Sequence, residues 1–401
     1  MYKFYRFITG LVTSIYYCLK NRNAIVIFVT PADSSTIIDG KKTSPFAFAL
    51  QQKVWSSTGM EPLIISRSHD YRADYNVSFS ISEILSLGYR LRKANGVWNL
   101  ILKLLRPTIV FAIDWDWSLN EVCNISKVPI YYIQHGVIAE DHMYFGRNII
   151  VDTDKKGLPT GFLCWDEEST LNFRNIIEAY NIGNLWNLNF IQRDSNAYTI
   201  IKYLPPLLKT NNKPLILVTL TWGNPEFIHL PQNIIEVIKK TYQRFNWIIR
   251  LHPVINQSEI LVKEFDAFLK NSFNPEEIKS LIWDSVSELP LPMLLSKSSC
   301  HITIESSAVI EAAQFGVESL ILNPNIIKNG PKGAGVSIIF GGPTYFRKER
   351  DCGYATIYEP KLVIEDWIDN AISVNKIPLI DIELHKKEWD TFCMTLKNKI
   401  A

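Results

Sequence analysis

Between Thr303 and Asn323 the sequence TIESSAVIEAAQFGVESLILN sets two hydroxyl residues, Ser306 and Ser307, directly before an apolar helical pattern of Ala308, Val309, Ala312, Ala313 and Phe315. The pattern predicts a strand, a turn and a helix whose N-terminus carries nothing bulky or basic. Free backbone N–H groups and the positive end of a helix dipole would there face a bound anion, so the segment is a candidate phosphate seat. Glu311, one turn further on, is placed to reach past the phosphates to a ribose. An ordinary serine-capped helix, with Glu311 paired to a Lys or Arg, fits the same residues.

Other strand-like runs end in residues of similar use. One runs into Thr219, Thr221, Trp222, Gly223 and Asn224, where hydroxyls and an amide could hold phosphate oxygens and Gly223 would let the backbone approach a ligand; a plain turn is the alternative. A second ends in Arg250-Leu251-His252-Pro253, a cation and an imidazole at a point where proline stops the strand. A third ends in Trp283, followed by the proline-punctuated Glu288 to Met293, a candidate wall for a nucleobase or simply core. In the first half the outstanding signal is Gln134-His135-Gly136 after the apolar run 128–133, with Glu140, Asp141 and His142 just downstream. A strand-end imidazole beside a glycine turn is a candidate general base. Asp114-Trp115-Asp116 closes the preceding strand, and Asp116 is an alternative base or a partner that orients His135.

These residues do not form a metal set. His135 and His142 flank a glycine turn, and neither HxH nor HExxH spacing occurs. The chain also lacks GxxxxGK[ST], GxGxxG after its first strand, and GxSxG, which argues against a P-loop nucleotidase, a dinucleotide-dependent dehydrogenase and a serine hydrolase. The glycine-rich, basic stretch 328–335 follows Asn323-Pro324 without opening a helix and reads as a loop.

The elements that would position these groups alternate between strand and helix. Strands are expected at 24–30, 62–66, 108–113, 129–133 and 161–165, with helices at 45–56, 82–105 and 118–126. A second series has strands at 215–220, 247–251, 278–283, 301–304 and 319–322, with helices at 231–245, 258–271, 290–298 and 307–315. Such alternation predicts α/β architecture with mostly parallel sheets. The expected domains are 1–195 and 196–375, with 376–401 as a terminal helix crossing back to the first. Loops at the carboxyl ends of parallel strands are where ligands bind in open α/β sheets, which is where the candidate residues fall.

With 401 residues, 47% hydrophobic, the chain can bury a large core, and 42 Lys and Arg against 40 Asp and Glu leave no basic stripe for nucleic acid. Six scattered cysteines without CxxC spacing suggest a reducing compartment. Residues 7–19 are nearly uncharged between Lys3, Arg6 and Lys20. The run is too short for a span and lacks a signal-peptide cleavage site, leaving a helix packed on the domain or one lying at a membrane surface.

The combination of QHG at 134–136, RLHP at 250–253 and ESSAVIEAAQFG at 305–316 resembles the GT-B glycosyltransferase superfamily. More narrowly it is similar to bacterial capsule and surface-polysaccharide transferases, including CDP-glycerol glycerophosphotransferases and the Kdo and polysialic acid transferases. The resemblance implies two Rossmann-like domains with parallel sheets facing a central cleft, and transfer of a sugar from a nucleotide-linked donor to a bacterial surface glycan. It implies a catalytic role for His135, with Asp116 and Glu140 as further candidates. His252, Ser306 and Ser307 would bind donor phosphates, and Glu311 the ribose, as in the similar nucleotide-sugar 2-epimerases. Thr221, Gly223, Asn224, Arg250 and Trp283 would complete the donor site. No metal or other cofactor is implied, and the location would be cytoplasmic, with peripheral contact at the inner membrane. The chain departs from the epimerases in carrying Ser306-Ser307-Ala308 where they have Ser-Gly-Gly, and the acidic polysialyltransferase motif is not evident, although Glu140-Asp141 lies near its region. Three rivals remain: a glycerol- or ribitol-phosphate transferase with a CDP-alditol donor, a nucleotide-sugar 2-epimerase, and a non-catalytic assembly subunit.

Overall fold

The computed structural model describes residues 2–30, 36–67, 75–90, 93–113, 115–138, 140, 150–151, 154–192, 213–221, 229–284, 286–328 and 342–400. The chain divides into two compact units. The first comprises Met1–Ile138, Arg147–Trp186 and Asp381–Ala401; the second comprises Ala139–Gly146 and Asn187–Ile380.

The first unit is built on a seven-stranded parallel sheet. Its strands are β1 (Ile25–Val29), β4 (Leu63–Ser66), β5 (Phe79–Ser80), β6 (Ile109–Ala112), β7 (Ile130–Ile133), β8 (Gly161–Cys164) and β9 (Glu178–Asn181), while β2 (Thr36–Ile38) and β3 (Lys41–Thr43) form a separate antiparallel hairpin. The spatial order is β5-β4-β1-β6-β7-β8-β9. Every residue of β1, β6, β7 and β8 is buried, which is why these strands read as unbroken apolar runs: helices cover both faces of a parallel sheet. Gly161 is required where β8 lies against β9, since an added Cβ would fall 2.5 Å from the Glu178 carbonyl oxygen.

The second unit carries a six-stranded parallel sheet. It comprises β10 (Leu215–Thr219), β11 (Asn246–Arg250), β12 (Leu281–Ile282), β13 (Cys300–Thr303), β14 (Ser319–Ile321) and β15 (Ala355–Ile357), in the order β12-β11-β10-β13-β14-β15. The chain steps outward from β10 to β11 and β12, then returns to the other side of β10 as β13. The order therefore reverses between β10 and β13, a topological switch point whose carboxyl-end crevice is the usual ligand position in such sheets. The expected α/β class with parallel sheets is the observed one.

Two expected elements differ. The helix expected over 82–105 is two, Ser82–Arg90 and Ala94–Leu105. Val97 lies so close to Gly88 that an added Cβ there would fall 2.0 Å from a Val97 methyl, so the chain doubles back at a point only glycine allows. The first half of the strand expected over 278–283 is the end of the helix Pro275–Ser280, with β12 reduced to Leu281–Ile282. A reciprocal capping box between Asn274 and Glu277, with Pro275 at the first helical position, starts that helix and outweighs the apolar pattern behind it.

The segment 360–401 forms two helices, Ile364–Ser373 and Ile382–Ile400. The latter belongs to the first unit. Its His385 ring bonds the Asn181 carbonyl at 2.9 Å, Trp389 donates its indole N–H to Ser57 Oγ at 3.0 Å, and Lys399 reaches Glu178 at 2.9 Å.

Candidate functional site

Thr219, Arg250 and Thr303 stand in register at the ends of β10, β11 and β13. Neighbouring strands are about 4.8 Å apart, so the residues that follow leave the sheet side by side at the switch point.

Arg250 is buried, and among the described residues its Nε has no hydrogen-bond partner. Desolvation lowers its pKa to about 10, opposed by the Glu311 carboxylate, so it keeps its charge at neutral pH. A guanidinium held out of water with an unmatched N–H is costly unless an anion completes it. Thr221, two residues beyond β10, is also buried, and its hydroxyl lacks a partner among the described residues.

His252 caps the short helix Pro253–Asn256: its Nδ1 accepts the Val254 N–H at 3.3 Å. Burial first, and the Arg250 charge second, lower its pKa to about 4. The ring is thus neutral at pH 7, and because Nδ1 accepts, its proton sits on Nε2, making that nitrogen a donor. Behind it Leu251 is fixed by donating its N–H to Ser287 Oγ at 2.9 Å.

The serine turn rests on a buried polar ladder that crosses three strands. Ser319 Oγ and Thr219 Oγ1 bond the two ring nitrogens of His301, each at 2.9 Å; Thr303 Oγ1 donates to the Thr219 carbonyl at 3.0 Å and accepts the Ser306 N–H at 3.2 Å. His301 is fully buried, and desolvation pushes its pKa down to about 3. At the turn itself Ser306 Oγ accepts the Ala308 N–H at 3.2 Å, while Ser307 occupies the N-cap position of the helix Ala308–Gln314 without a side-chain cap bond. The two serines therefore differ: one oxygen closes the turn, the other hydroxyl makes no such bond. Glu311 is buried within this helix and acts on Arg250 electrostatically, which is the arginine pairing named as the alternative to a ribose contact. Trp283 meets Phe265 edge to face at 5.5 Å and packs on the apolar core, the alternative named for it. Gly223 and Asn224 lie outside the described residues, as do Trp222 and most of the 328–335 loop.

In the first unit His135 is exposed just beyond β7. Gln134 holds the turn that displays it. Its amide nitrogen donates to the Gly136 carbonyl at 2.8 Å and to Ser169 Oγ at 3.0 Å, and its oxygen accepts the Trp165 N–H at 2.7 Å. Asp116 is placed beyond the neighbouring strand β6, with its carboxylate committed. Oδ1 caps the helix Trp117–Ser126 by accepting the Leu119 N–H at 3.0 Å; Oδ2 accepts the Trp98 indole N–H at 3.2 Å and lies 3.7 Å from Arg67. Such a carboxylate is suited to holding structure more than to taking a proton. Glu140 falls in the second unit, exposed, 3.8 Å from Arg347. Asp114, Asp141 and His142 lie outside the described residues, and among the described residues no group of three or more His, Cys, Asp or Glu could hold a metal ion.

The sequence reading missed His301, Thr303, Ser319 and the role of Gln134. The available signal was polarity inside otherwise apolar strands, because polar side chains in adjacent buried strands must bond one another.

No protein-family model and no curated protein matches the chain. Solved structures do. The UDP-GlcNAc 2-epimerase of Methanocaldococcus jannaschii is similar with a TM-score of 0.55 and 16% identity, over 93% of this chain and 99% of that one. The S. aureus MnaA structure with UDP gives 0.55 and 10% over 94% and 97%. The wall teichoic acid polymerase TagF gives 0.52 and 14% over 100% and 98%. The fold is the GT-B type, two parallel-sheet α/β domains.

Proposed function

We propose that the protein is a GT-B transferase that binds a nucleotide-linked sugar on its second unit and passes the sugar to the hydroxyl of a surface polysaccharide. The observation that carries this reading is the buried, charged Arg250, whose Nε, like the buried Thr221 hydroxyl, has no partner among the described residues, both at the carboxyl ends of neighbouring switch-point strands. Fixed donors around one position suit a diphosphate.

In this reading the acceptor O–H gives its proton to His135, its oxygen bonds the anomeric carbon, and the bond from that carbon to the donor phosphate oxygen breaks. Charge that builds on the departing diphosphate is met by Arg250, the His252 Nε2–H, the Thr221 hydroxyl and the backbone at Ser306 and Ser307. Glu311 takes the ribose hydroxyls, and Trp283 lines the base. Asp116 holds the end of β6 beside the His135 turn, and Glu140 has no step.

A second reading, transfer of an alditol phosphate from a CDP-alditol, is favoured by the likeness to the wall teichoic acid polymerase, which covers the whole of this chain. Calorimetry with UDP-, GDP-, TDP- and CMP-linked sugars and CDP-glycerol separates the two. A nucleotide-sugar should bind, and Arg250→Gln should weaken it by about 1.5–3 kcal/mol, the worth of a hydrogen bond to a charged group. Binding of CDP-glycerol alone would select the second reading, and binding of no nucleotide at all would sink both.

A further inference from the structure

The helix Tyr2–Lys20 has two unlike faces. One is packed: Ser14 donates its hydroxyl to the carbonyls of Gly10 and Ser80 at 2.8 and 2.7 Å, Cys18 is fully buried, and Tyr17 stacks on Phe79 at 5.5 Å. Gly10 sits so near Glu83 that an added Cβ would be 2.8 Å from its carboxyl carbon. The opposite face carries Ile8, Val12, Tyr16 and Leu19, exposed by 40, 61, 58 and 46%. Their spacing of four, four and three residues forms one continuous stripe, about 16 Å long at the helical rise. Beyond the edge-to-face contact of Tyr16 with Tyr17 at 5.5 Å, this stripe is largely open to solvent.

We propose that this face docks on an anionic lipid surface, with the helix lying flat in the interface. The stripe is aliphatic with one tyrosine, a composition that suits the boundary between headgroups and acyl chains. Charge supports the same partner. The first 23 residues contain four basic residues, Lys3, Arg6, Lys20 and Arg22, and no acidic one, although the whole chain is nearly balanced. Basic residues at both ends of an apolar stripe match a negative surface. They oppose pairing with a second copy of the helix, which would set basic end against basic end in either direction. Lying on the surface, and not crossing it, fits the finding that no helix among the described residues is long and apolar enough to span a membrane.

The test is vesicle co-sedimentation of the full chain. Wild type should bind phosphatidylglycerol-rich vesicles at low salt, bind phosphatidylcholine vesicles weakly, and release as salt rises. The double variant Val12→Glu, Tyr16→Glu should lose at least roughly tenfold in partitioning while remaining folded, since both side chains are more than half exposed. Lys20→Glu should lose less, and Ile260→Glu, at an exposed apolar residue of the second unit, should lose nothing. Failure of wild type to bind anionic vesicles at low salt, or equal binding by the double variant, overturns the proposal. So does wild type that is dimeric and lipid-indifferent while the double variant is monomeric, which would assign the stripe to self-association.

Discussion

Two histidines follow apolar strands, each ahead of a chain-turning residue, and they are handled in opposite ways. His135, beyond β7, is exposed, and the order around it comes from Gln134, whose amide ties down the turn. His252, beyond β11, is drawn inward, spends Nδ1 on a helix cap and is held neutral by burial and by Arg250. In the proposed reaction the exposed imidazole would take the acceptor proton, and the one whose other nitrogen is occupied would always donate from the same atom. The two tasks would then follow from what is bonded behind each ring.

The largest effect is expected from His135→Ala, which should slow transfer by about 10²–10⁴-fold while leaving donor affinity unchanged, the usual worth of a positioned base. Single-turnover rates alongside calorimetry would check it. If His135→Ala transfers normally and a folded Asp116→Asn does not, the two have exchanged roles and the contrast with His252 fails.

Acidification should separate the units next. The folded values of His252 and His301, about 4 and about 3, lie below the ordinary 6.5, so between these limits the unfolded chain binds more protons than the folded one. Their contribution to stability is complete above about pH 6.5 and is lost as pH falls toward 3, a change on the order of several kcal/mol. His301→Gln should flatten the slope of the thermal midpoint against pH in this window; an unaltered slope would mean that His301 is not held neutral.

His252→Ala should weaken nucleotide binding by about 1–3 kcal/mol, with a loss of stability near 1 kcal/mol for the missing cap. Equal affinity in a folded variant removes His252 from the donor site. The smallest effect concerns Glu311. Wild type should prefer a ribonucleotide over its 2′-deoxy analogue, and Glu311→Gln should narrow that preference by about 1 kcal/mol; equal discrimination in both would leave Glu311 as the counter-charge of Arg250 alone.

Much of this was readable in the chain because parallel strands covered on both faces are apolar throughout: 24–30 and 215–220 became β1 and β10 with their ends trimmed. The RLHP and ESS segments stood out because proline and hydroxyl residues mark where strands stop. What stayed hidden depends on register. Nothing near His301 in the sequence says that Thr219 and Ser319 will lie beside it, and nothing near Asp116 says that Trp98 and Arg67 will claim its carboxylate. The capping box at Asn274 is local and legible, and it prevails over the apolar run that follows it.

The helix Ile382–Ile400 gives the two units different histories on the ribosome. Phe392 fits among Phe111, Tyr131, Tyr180 and Trp389, and Lys399 closes on Tyr131 and Glu178, so the core of the first unit is completed by residues that follow the whole sheet of the second. The second unit holds every strand of its sheet between Leu215 and Ile357. The first unit therefore cannot close its core until every strand of the second has been made.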